Sequence, residues 1–110
     1  MPAKGFQKDA IVLLTLNSPR QKFFGRLLSL NASGVELRGV PLESLEDLAR
    51  QLRAHEPAGA STLFFPMHRV ERMELDEAAG EVPALGVTFA SQAGRTLQAV
   101  FGGGRRKAPR

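Results

Sequence analysis

The sequence predicts one mostly β domain, a five-stranded barrel with a helix inserted between its third and fourth strands and a short helical extension behind it. Three observations predict this. Short apolar segments with strand character alternate with turn clusters, one stretch switches to helical spacing, and 110 residues suffice for one core but not for two. Hydrophobic residues at 43% and charged residues at 24% match a folded globular chain rather than a disordered one.

Ala10-Ile11-Val12-Leu13-Leu14-Thr15-Leu16 is apolar and β-branched without helical spacing, which reads as a strand covered on both faces. Asn17-Ser18-Pro19-Arg20 ends it in a turn. A second strand is expected over Lys22–Leu30, where Gly25 permits a sharp bend. After the turn Asn31-Ala32-Ser33-Gly34, Val35-Glu36-Leu37-Arg38 alternates apolar and charged, as a half-buried strand does. Leu42, Leu45, Leu48, Ala49 and Leu52 then recur at three- and four-residue steps, which predicts a helix over 42–54. Glu43, Glu46 and Asp47 near its start and Arg50, Arg53 and His55 near its end suit the helix dipole, and Glu46 stands at the spacing that pairs with Arg50. Glu56–Ser61 breaks the helix and Thr62-Leu63-Phe64-Phe65 returns to strand. Pro66 marks that strand's end, and Val70–Leu75 follows the short turn Met67-His68-Arg69 as the last strand. The adjacent pairs Phe23-Phe24 and Phe64-Phe65 are expected in the core.

The barrel with its inserted helix is thus assigned to residues 10–76 and a C-terminal extension to 77–101. Leu85, Phe89 and Ala93 fit one helical face with Pro83 in the first turn, so helix is expected over 84–92, although Gly86-Val87-Thr88-Phe89 also reads as strand. Leu97, Val100 and Phe101 predict a second short helix. Residues 1–9 are expected to be a flexible N-terminus and residues 102–110 a disordered basic tail.

No cysteine is present, which excludes a disulfide framework, a thiolate metal site and a cysteine nucleophile within this chain. The hydroxyls and acids have no histidine at catalytic spacing, and no His/Asp/Glu cluster has ligand spacing, so neither catalytic nor metal residues nor a cofactor are expected. Trp and Tyr are also absent, which removes two common interface anchors. Ala10–Leu16 is too short for a membrane span or a signal segment, and a cytoplasmic protein that does not enter membranes is the expectation. The net charge of +4 resides in the end of the chain. Arg105, Arg106, Lys107 and Arg110 follow Gly102-Gly103-Gly104, whereas the acids and bases of residues 1–104 cancel.

Leu16-Asn17 through Phe24-Gly25-Arg26-Leu27-Leu28-Ser29-Leu30-Asn31, continued by Val35-Glu36-Leu37, resembles the first motif of Hfq and its Sm relatives: an apolar-Asn turn, Gly-x-apolar, then a Ser-apolar-acid corner. Phe65-Pro66-Met67-His68-Arg69-Val70 is similar to the second motif, with His68 on the family's histidine. The corner acid is Asn31 here, the lysine beside the histidine is Met67, and the Arg-Gly signature of archaeal and eukaryotic relatives is missing. The helix 42–54 stands in the family's variable loop. A PRC-type barrel, which also carries an apolar-Pro-x-x-x-Val turn, is the rival resemblance.

The resemblance implies an Sm-like (SH3-like) barrel that assembles as a homo-oligomeric ring and binds single-stranded RNA. It places His68 at the pore, where an imidazole stacks and hydrogen-bonds with uridine-rich RNA. Asn31 at the first corner and Arg69 beside His68 join it as candidate contacts. Arg20 and Lys22, with Arg26, form a candidate basic rim for phosphates, and the tail cations Arg105, Arg106, Lys107 and Arg110 would add charge without reading sequence. The competing expectation is a non-enzymatic protein-interaction adaptor on an SH3-like or PRC-type barrel, docking its partner through helix 42–54 or segment 84–101.

Overall fold

Five antiparallel strands form one sheet in the order β4-β3-β2-β1-β5 in the computed structural model, which describes residues 5–102. They are β1 Ile11–Leu16, β2 Gln21–Asn31, β3 Gly34–Pro41, β4 Ser61–Pro66 and β5 Val70–Leu75. β3 runs past the Val35–Arg38 alternation because Gly39, Val40 and Pro41 go on pairing with Gly25, Phe24 and Phe23. A 3-10 turn at Leu42–Ser44 leads into α1, Leu45–Arg53, so the predicted helix 42–54 is α-helical only from Leu45. Arg50 pairs with Asp47, three residues before it, rather than with Glu46. Two further helices follow: α2 Leu85–Ala93 lies in the segment that also read as strand, and α3 Leu97–Phe101 is the second short helix expected.

The period-2 alternation of the strands divides the apolar side chains between two cores. Val12, Leu14 and Leu16 point with Leu27, Val35 and Leu37 into one, and Phe65, Val70, Met73 and Leu75 of the two edge strands pack against it. The sheet therefore curls around this cluster. On the opposite face Ile11, Leu13, Phe24 and Val40 meet Leu48, Ala49 and Leu52 of α1, Phe89 and Ala93 of α2, and Phe101 of α3. β1 is covered on both sides, as its unbroken apolar run requires.

Three sequence expectations are corrected. β4 and β5 are the two edges of the sheet, so the barrel is not closed by hydrogen bonds. Pro66 lacks an N–H and ends β4, and the 3-10 turn Met67–Arg69 then carries the chain from the β3 side to the β1 side. Phe64 is 57% exposed, because alternation along β4 turns it away from the cluster that Phe65 enters. The buried face of α2 is Gly86, Phe89 and Ala93, leaving Leu85 39% exposed.

Long polar side chains bind the helical layer to the sheet. Arg53 of α1 donates through Nε to Gln92 O at 3.0 Å and through Nη2 to Ser91 O at 2.8 Å, satisfying carbonyls at the end of α2. The Asp76 carboxylate accepts from the N–H groups of Leu85 and Gly86 at 2.8 and 2.7 Å and caps the same helix at its start. Arg26 donates to Phe101 O at 2.7 Å at the end of α3 and pairs with Asp9. Asp9 N–H in turn donates to Leu27 O at 2.7 Å, so this part of the segment expected to be flexible is held against β2.

Gly25 and Gly39 face each other where β2 and β3 cross. A Cβ on Gly25 would lie 2.3 Å from Arg38 O and 2.6 Å from Gly39 Cα, and neither backbone atom can rotate away. Gly25→Val is expected to cost about 3 kcal/mol, the upper part of the usual overpacking range. Urea unfolding checks this against Gly59→Ala, where a Cβ meets nothing within 4 Å. Equal midpoints for the two variants would mean that the strands do not approach this closely.

Candidate nucleic-acid interface

The Met67–Arg69 turn is clamped from both flanks. On one side Met67 N–H donates to Ser33 O at 2.9 Å, joining the turn to the β2–β3 corner. On the other, Asn17 N–H donates to Arg69 O at 2.9 Å, while Arg69 Nε donates to Asn17 O at 2.7 Å and its Nη2 to Pro19 O at 3.2 Å. Three segments far apart in sequence thus meet at one turn. His68, at the middle of that turn, is exposed and its imidazole makes no hydrogen bond among the described residues.

The other candidates are used differently. Asn31 Oδ1 accepts from Ser33 N–H at 2.8 Å, a local turn-forming bond that leaves its NH2 group without a partner among the described residues. Arg69 spends its guanidinium on the β1–β2 turn, so its observed role is to fix the loop that carries His68. Arg20 approaches Glu71 at 3.5 Å with both side chains well exposed, a contact that contributes little in water. Lys22 is exposed and, with Arg20 and Gln21, lines a depression of about 350 Å³ that Leu42 and Glu43 close on the far side. Arg26 leaves the expected rim, since its side chain is only 15% exposed and caps α3. The tail candidates Arg105, Arg106, Lys107 and Arg110 lie outside the described residues.

Gln21 and Ser33 escaped the sequence reading, although one lines the depression and the other holds the His68 turn. Neither belongs to an apolar or charge pattern; only the fold places them. Among the described residues no group of three or more His, Asp or Glu converges as a metal site, and no helix is long and apolar enough to cross a membrane. Comparison of the chain with protein families, with characterised proteins and with solved structures finds no match.

Proposed function

We propose that the chain is an Sm-like barrel that binds single-stranded RNA as a homo-oligomeric ring. The observation that supports it is the meeting at one turn of His68, the Asn31 corner and the segment bearing Arg20 and Lys22, held together by the Met67–Ser33 and Arg69–Asn17 bonds. An exposed imidazole and a spare amide NH2 offer stacking and hydrogen bonds to an unpaired base, and the neighbouring cations follow phosphate. Ring formation is supported by the open edges of β4 and β5, which present unpaired backbone groups, and by Phe64 standing 57% exposed on one of them.

Light scattering and RNA retention test the two halves separately. The expected results are an oligomer at micromolar protein and retention of uridine-rich RNA that weakens as salt rises. A species of only 11.9 kDa excludes the ring. An oligomer that retains neither uridine-rich nor adenosine-rich RNA at low salt excludes RNA, and the protein-interaction adaptor then takes its place.

A further inference from the structure

The helical layer contains a groove between the start of α1 and the length of α2. Its volume is about 350 Å³, toward the lower end of the roughly 300–1,000 Å³ range of binding clefts. The partly exposed Leu42 and Leu85 flank it, the buried Leu45 and Phe89 lie at its floor, and the exposed Glu43 and Glu46 also line it. Acids at the start of a helix have a structural use, since they complement the dipole of α1. That use does not account for the opposite flank, where Leu85 remains 39% exposed although Asp76 fixes the end of α2 beside it. Glu43 also borders the depression lined by Arg20 and Lys22, yet no ion pair joins it to either one. The Glu46 carboxylate likewise forms no hydrogen bond or ion pair among the described residues.

We infer that this groove docks an amphipathic helical segment of a partner protein, with apolar anchors between the flanking leucines and Lys or Arg against Glu43 and Glu46. A cleft between two helices accepts a third whose anchors recur at three- and four-residue steps. The two carboxylates select the sign of its flanking charge and disfavour a polyanion on this face. The chain's own basic tail fits the carboxylates but not the apolar lining, because nothing between Gly102 and Arg110 is a large apolar residue. No residue of the His68 turn lines the groove, which shares Leu42 and Glu43 with the Arg20–Lys22 depression.

The test begins with the full chain panned against a random library of peptides of about 15 residues, long enough to form a helix on binding. Enriched peptides are then titrated against the protein by NMR. Enrichment of Lys or Arg beside apolar residues at helical spacing is expected, with shift changes at Leu42, Leu45, Leu85 and Phe89. Glu43→Lys with Glu46→Lys should weaken these peptides by about tenfold or more and favour acidic ones, because the charge lining the groove is reversed. Leu85→Lys, at a partly exposed position that can change without unfolding the chain, should weaken them as well. The inference is overturned by no enrichment, by an acidic or uncharged consensus, or by binding that ignores both variants. It is overturned equally if removing residues 103–110 raises peptide affinity about tenfold, since the tail is then the occupant, or if Leu85→Lys dissolves a dimer seated on the groove. The ratio of uridine-rich to adenosine-rich RNA retention is read on Leu85→Lys, a position outside the Arg20–Lys22 depression that Glu43 borders, and is expected to be unchanged, so either assignment can fail alone.

Discussion

Leu48→Asp is expected to lower stability by about 2–5 kcal/mol. Leu48 is 5% exposed in the cluster where α1 meets Phe24 of β2, Phe89 of α2 and Phe101 of α3. The substitution removes the packed leucine and leaves a carboxylate in its place. No cation is paired there to receive it: Arg53 is bonded to the end of α2, and Arg50 pairs with Asp47 on the exposed side of the helix. For a domain of this size each kcal/mol moves the midpoint by about 4 °C or more, so Tm should fall by about 8 °C or more. Gln51→Asp on the same helix is the control, because Gln51 is exposed and surface changes stay within about 0.5 kcal/mol. Equal shifts for the two variants would detach α1 from the core.

The same leucine shows why part of the fold is legible in the sequence. Leu45, Leu48, Ala49 and Leu52 carry a helical period, and these four are the buried residues of α1. Val70–Leu75 follows the short turn Met67-His68-Arg69, and the strand spans those same residues. Local pattern fails where position is decided by contacts distant in sequence. Phe64 and Phe65 are equivalent by composition, and only the register of β4 on β3 sends one to solvent and the other to the core. Leu85 fits a helical stripe with Phe89 and Ala93, but Asp76 anchors α2 so that Gly86, which leaves room for Leu97, takes the inward position.

The candidate site is less legible for a related reason. Cations look alike in a sequence, yet they divide in space. Arg26, Arg53 and Arg69 cap carbonyls through bonds spanning 38 residues or more, whereas Lys22 stays exposed. Motif spacing identified the turn of His68, and the bonds that hold it emerge only when Ser33 and Asn17 are brought beside it.

The largest effect on function is expected from the tail and His68 changed separately. Each cation that neutralises a single-strand phosphate contributes about 0.7 to the slope of log affinity against log salt. Deleting residues 105–110 removes Arg105, Arg106, Lys107 and Arg110, so the slope should become shallower by up to about 3. Affinity should fall for every RNA, and the ratio of uridine-rich to adenosine-rich binding should stay the same, because contacts to phosphate carry no sequence information. His68→Ala should do the reverse. It removes an exposed ring without removing one of those cations, so the slope should barely move while uridine-rich binding loses about 1–3 kcal/mol, the usual worth of one stacked base. Retention curves at several salt concentrations for the intact chain and both variants give all of these quantities. If the deletion alters the uridine preference, the tail is reading bases and the separation of roles is wrong. If His68→Ala leaves the preference intact, the clamped turn is structural, and RNA binding, where retention persists, resides in the cations alone.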